Sequence, residues 1–170
     1  MRRSLPWSLL VVLAFILAGR PALAAGESCT VTATPLAFGT FAPLSGTVLD
    51  ATSTVTVTCI CPVLCLGINY TVAVSTGGSG TFSPRRMNAG TPTLAYNGYT
   101  AAARTTVWGD GSGSTVVQSR CRLAALIGSG WVEPITFYGR IPVNTAAIPG
   151  SYMDTLNVTV TYGGISLCIL

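Results

Sequence analysis

Apolar and polar residues alternate with a period of two along much of this chain. In Thr54-Val55-Thr56-Val57-Thr58-Cys59 the apolar Val55, Val57 and Cys59 fall on one side and the threonines on the other. Tyr70, Val72 and Val74 alternate with Asn69, Thr71, Ala73 and Ser75, and Leu156, Val158, Val160 and Tyr162 with Thr155, Asn157, Thr159 and Thr161. Such a pattern makes one buried and one solvated face, as in an antiparallel sheet. Val and Thr are branched at Cβ and suit a pleated backbone. Shorter strands are predicted at 29–33, resuming at 36–38 after Pro35, at 94–96, at 105–108, and around Ile135, Phe137 and Ile141. Turns are predicted at 76–80, Asn97-Gly98, Asp110-Gly111 and Pro149-Gly150. No stretch repeats its apolar residues at three and four. Six or seven short strands with frequent turns predict an all-β chain folded as an immunoglobulin-like antiparallel β-sandwich. No internal repeat or linker divides it.

The first residues read differently. Arg2 and Arg3 precede an apolar run from Leu9 to Ala18, and Ala22-Leu23-Ala24 is a small-x-small cleavage site. That order predicts a secretory signal peptide over 1–24 and one mature domain over 25–170. The run is shorter than the ~20 apolar residues a membrane helix needs. Three of the nine basic residues fall in the signal; Arg85, Arg86, Arg104, Arg120, Arg122 and Arg140 remain against Glu27, Asp50, Asp110, Glu133 and Asp154. The mature chain is thus close to neutral. Arg85-Arg86 and Arg120/Arg122 read as solvated loop pairs, and no clustered basic face points to nucleic acid. A surface poor in charge and rich in Thr, Ser and Gly suits a protein that packs against other subunits.

The chemistry available is narrow. There is no His and no Lys, so an enzyme would have to work from five scattered carboxylates. The expectation is no catalysis, no cofactor and no small-molecule substrate. Cys29, Cys59, Cys61, Cys65, Cys121 and Cys168 all lie in the mature chain, and an even count in an exported protein predicts disulfides. The spacing Cys59-x-Cys61-x-x-x-Cys65 is not that of a zinc ribbon, and no His completes a mixed metal site. If the first strand starts where the second ends, Cys29 and Cys59 meet, and all six cysteines gather at one pole. Cys29–Cys59 is the pairing this predicts; the other four allow three connectivities. The aromatics Trp108, Trp131, Tyr138 and Tyr152 could stack on a sugar, but such residues more often pack.

A set of short motifs also resembles a known family. Cys29-Thr-Val, Phe38-Gly39-Thr40-Phe41 and Val55-Thr-Val-Thr-Cys59 resemble the opening of the spore coat protein U domain. Pro84-Arg85-Arg86-Met87 and Leu94-Ala95-Tyr96-Asn97 resemble its middle. Trp108-Gly109-Asp110-Gly111, Tyr138-Gly139-Arg140-Ile141-Pro142 and Gly150-Ser151-Tyr152-Met153-Asp154-Thr155 through Tyr162 resemble its end. The resemblance implies a secreted, pilin-like subunit whose sandwich lacks its last strand. It implies a periplasmic chaperone, an outer-membrane usher and other pilin subunits as partners, passage through the periplasm, and a place at the cell surface or in a pilus serving attachment and biofilm formation. It also implies donor-strand addition along the 155–162 strand, with Leu156, Val158, Val160 and Tyr162 lining the groove. Trp108, Gly109, Asp110, Gly111, Tyr138, Gly139 and Arg140 are expected to be framework.

Two segments bear on that role. Only Ala25 to Ser28 precede Cys29, and four residues reach at most ~14 Å, too short to pair along a whole groove. Residues 163–170 could fold back over the groove instead. Two other readings are a non-fibrous coat protein with a self-completed sandwich and a carbohydrate-binding tip module.

The cysteine count makes a direct prediction. Titration of the purified mature protein in denaturant without reductant should find no reactive thiol, whereas two or more per chain would refute full oxidation.

Overall fold

The computed structural model describes residues 27–61, 67–122, 130–165 and 168. The expected signal peptide and Cys65 lie outside them. The described residues form eight strands: β1 (Ser28–Ala33), β2 (Leu49–Ile60), β3 (Ile68–Val74), β4 (Arg85–Asn88), β5 (Thr93–Tyr99), β6 (Gln118–Arg122), β7 (Gly130–Ile141) and β8 (Val158–Ile165). They build two antiparallel sheets, a larger one in the order β1-β2-β7-β5-β4 and a smaller one in the order β6-β3-β8. The result is an all-β, immunoglobulin-like sandwich.

The alternating pattern explains the core. Val55, Val57 and Cys59 of β2 and Tyr70, Val72 and Val74 of β3 are all buried, and they meet Ile135, Phe137 and Trp108 between the sheets. The threonines of β2 face outward. β2 and β7 are twelve residues each and pair along their whole length, from Leu49↔Ile141 to Ile60↔Gly130. Pro134 interrupts neither ladder. β5 joins β7 only over Tyr138–Arg140, so Pro134 falls where one edge of β7 is open, a position in which a strand tolerates proline.

The covalent links sit at one pole. Cys29 and Cys59 are directly opposite in the β1–β2 register and are joined, with Cα atoms 4.1 Å apart. Closing that loop of 30 residues restricts the unfolded chain by about 3–4 kcal/mol in the chain-entropy model. Cys121 on β6 is joined to Cys168. Cys61 is buried and disulfide-bonded as well.

Several sequence expectations change. Asn97-Gly98, read as a turn, lies inside β5. There the Asn97 side chain bonds inward, and a Cβ at Gly98 would fall within the Phe137 ring. Residues 105–108 make only isolated bridges, and no strand resumes at 36–38. The last strand begins at Val158, not Thr155, because Asn157 is held by Ser75 and Met153 by Asn88. Arg85, expected in a solvated pair, is fully buried, while its neighbour Arg86 is exposed.

Glu133 is a second charge moved inward. From the first part of β7 it reaches across to the smaller sheet, accepting from Tyr70 Oη at 2.5 Å and from Arg122 Nε at 2.7 Å, with Arg120 Nε at 3.6 Å. Burial pushes its carboxyl up. The hydrogen bonds from Arg122 and Tyr70 and the charges of both arginines outweigh this, and its pKa lies below the usual value. A depressed carboxylate stabilises the fold above its unfolded pKa and stops doing so as pH falls through the folded one. Glu133→Gln should therefore cost about 2 kcal/mol at pH 7, because two charge-assisted hydrogen bonds are weakened. The deficit should shrink below about pH 4.5, the ordinary glutamate value. Urea melts of both proteins from pH 3 to 8 measure this, and a deficit that does not change with pH would contradict the assignment.

Candidate functional site: an open apolar groove

The two sheets are unequal in reach. β3 ends at Val74, about where β2 and β7 are half way along, so the far half of the larger sheet has no strand across from it. Two irregular segments cover it instead, residues 34–41 after β1 and residues 147–157 before β8. Between them runs a trough made of two adjoining cavities of about 450 and 580 Å³, the first mainly apolar and the second of mixed lining. Leu36, Phe38, Met87 and Tyr152 border both. Val55, Val74, Tyr96 and Phe137 floor the first, and Leu94 and Ile141 the second.

The walls are held in contrasting ways. Residues 35–41 make no backbone–backbone hydrogen bond with any described residue. They lie close to the sheet because Gly139 of β7 has no side chain: a Cβ there would meet Leu36 Cδ2 at 2.6 Å and Phe38 Cζ at 2.9 Å. The other wall is pinned at intervals. Met153 exchanges two backbone hydrogen bonds with Asn88, at 2.8 and 3.0 Å. Asn157 O accepts from Ser75 N at 2.9 Å, and Asn157 N donates to Ser75 Oγ at 2.9 Å. Between these pins the Asp154 carboxylate accepts from Tyr96 Oη at 2.6 Å and from Gly78 N at 2.8 Å.

Behind this wall lies a buried guanidinium. Arg85 donates to Asn97 Oδ1 at 2.8 Å, to Ser75 O at 2.9 Å and to Trp108 O at 2.8 Å, and lies over the Phe82 ring. Burial lowers its pKa. Asn97 completes the net by donating to Phe82 O at 2.7 Å. Burial also raises the pKa of Tyr96, as does its bond to Asp154, so the hydroxyl stays protonated as a donor.

Of the residues expected to line a groove, Leu156 and Val158 border the first cavity. Val160 is half-buried against the sheet core, and Tyr162 lies opposite Tyr70 near the end of β8, 37 % exposed. The opposite wall, 34–41, carries no periodic signal in the sequence. The motif residues fall into two places. Trp108 is fully buried, donates from Nε1 to Val72 O at 2.8 Å and tilts against Phe137. Gly109 leaves room for Thr115, Asp110 closes a turn onto Ser112, and Gly111 has a φ of 91°. On the outer face, Arg140 makes a double hydrogen bond to Asp50 at 2.7 and 2.8 Å, and Arg104 lies over the Tyr138 ring. Among the described residues no group of three metal-binding side chains comes together.

A family model described as the spore coat protein U domain matches residues 17–159. This chain belongs to that family. A search of curated proteins found no match. Among solved structures, one similar chain comes from the CsuC–CsuE chaperone–tip adhesion subunit pre-assembly complex of the archaic chaperone–usher Csu pili of Acinetobacter baumannii. It is 22 % identical with a TM-score of 0.50, and the match covers 79 % of this chain and 39 % of that one. This chain therefore spans well under half of the chain it resembles. The likeness extends to the fold.

The position of Trp108 makes its role testable. Trp108→Ala should remove about 3–5 kcal/mol, by emptying the largest buried site between the sheets. Trp108→Phe should cost less, since it keeps the ring and loses the bond to Val72. Equal losses in thermal melts would contradict the packing assignment.

Proposed function

We propose that this protein is a non-enzymatic subunit of a surface pilus built by the chaperone–usher route. Its groove accepts a β-strand from a partner. The observation that carries the reading is the trough itself. Its floor is sandwich core, and one wall, residues 35–41, has backbone groups without backbone partners among the described residues. An apolar floor beside unpaired backbone is what an added strand satisfies: main-chain hydrogen bonds along the walls and alternate side chains into the cavities. Left empty, the same features promote aggregation. The partners on this reading are a periplasmic chaperone, an outer-membrane usher and other pilin subunits. Residues 1–24 serve as the export signal and 25–170 as one domain that passes through the periplasm to the surface, where it contributes to attachment. Family membership and the pilus origin of the similar structure support this assignment.

The test needs no knowledge of the natural partner. A panel of synthetic peptides of roughly eight residues, alternating Val or Ile with Thr, is added to the purified mature protein. Peptides of the same composition with the alternation scrambled serve as controls. An alternating peptide at about 100 times its Kd should stabilise the fold by about 2.7 kcal/mol and raise Tm by several degrees, while the scrambled ones should not. A stable monomer whose melting temperature moves with no member of the panel would end the strand-acceptor reading.

A further inference from the structure

The motifs that carry the family resemblance lie far apart in sequence, yet several converge behind one wall of the groove. Tyr96 comes from Leu94-Ala95-Tyr96-Asn97 and Asp154 from Gly150-Ser151-Tyr152-Met153-Asp154. They are 58 positions apart and their side chains meet at 2.6 Å. The second carboxylate oxygen of Asp154 takes the Gly78 N–H at 2.8 Å and its own neighbour's, Thr155 N, at 2.8 Å. The carboxylate thus joins β5, the turn after β3 and the groove wall at one point. Gly77 is shaped to receive it: its φ is 72°, and a Cβ there would collide with the Asp154 carboxyl. Tyr96 is itself 3 % exposed, with its ring edge-on to Phe38 of the opposite wall. Tyr96 thus touches both walls, Phe38 through its ring and Asp154 through its hydroxyl.

We propose that Tyr96 and Asp154 form a latch that holds residues 152–157 as a ready-made strand edge, making both of them positioning residues for the incoming strand. The proposal rests on the strand-acceptor reading. The physical reason is preorganisation. Fixing a backbone segment costs conformational entropy, and a wall already fixed spares the arriving strand that cost. The wall has no continuous ladder of its own between Met153 and Asn157; its order depends on the point contacts at Asn88, Ser75 and the latch. Of these, the Tyr96 hydroxyl can be removed without emptying any space.

The experiment compares wild type with Tyr96→Phe, Asp154→Ala and the double variant, each as the full mature chain. Amide hydrogen exchange is read at Met153 and Asn157 in the wall and at Val57 in the β2–β7 ladder. Affinity is measured for the best alternating peptide. Exchange at the two wall amides should rise at least tenfold in Tyr96→Phe with Val57 unchanged, and peptide affinity should fall about tenfold. The double variant should be little worse than Asp154→Ala, because both changes break the same contact. Unchanged exchange in the wall would overturn the latch. Faster exchange everywhere would reduce it to a general stabilising bond and overturn the positioning role. So would local loosening with no loss of affinity. If no peptide binds the wild type, the strand-acceptor reading fails, and with it the role toward a strand. The exchange data then decide separately whether the latch holds the wall.

Discussion

A twelve-residue strand pair faces a seven-residue strand. That mismatch between β2–β7 and β3 governs the rest of the molecule. Where the two sheets overlap, valines and aromatics from both close the core. Beyond Val74 the larger sheet still presents Met87, Leu94, Tyr96 and Ile141 inward, and only irregular chain lies over them. Apolar area that no strand covers must be met by something else. The fold answers with two irregular segments and leaves a trough between them.

The polar interior belongs to the same constraint. A buried guanidinium without a carboxylate partner is costly unless its donors are all met. Each of the three Arg85 nitrogens finds a partner among carbonyls and an amide from the end of β3, the middle of β5 and the Trp108 turn. It thereby ties the short sheet to the long one at the boundary of the overlap. Glu133 does the equivalent at the cysteine pole, where it links β7 to Tyr70 of β3 and Arg122 of β6. The two sheets are thus joined by ionic side chains at both ends of their shared core, while the wall at the trough end is held by the bonds of Met153 to Asn88 and of Asn157 to Ser75 and by the Asp154 carboxylate.

How far this could be read from sequence depends on which force writes the pattern. Burial on one face of a strand writes a period of two, and Val55, Val57, Cys59, Tyr70, Val72 and Val74 were legible for that reason. A buried charge writes nothing local. Arg85 beside Arg86 looks like a solvated pair, and its partners lie in three other elements. Asn97-Gly98 has the composition of a turn. Its place inside β5 is decided by Arg85, which needs the Asn97 oxygen, and by Phe137, which needs the space over Gly98. The groove was half legible. Leu156 and Val158 alternate, but the wall at 34–41 is irregular, and its closeness to the sheet depends on Gly139, more than ninety positions away.

The Cys29–Cys59 link has a mechanical consequence. β1 is an edge strand, and a pull on the chain ahead of it would ordinarily peel it from β2 one hydrogen-bonded pair at a time. The disulfide sits at the end where peeling would start, opposite the last residues of β2. A load arriving at Cys29 therefore passes through sulfur to Cys59 and into β2. That strand is held to β7 by twelve register pairs, which resist in shear any load running along its axis. The edge strand is taken out of the load path, and the longest ladder in the molecule bears the tension.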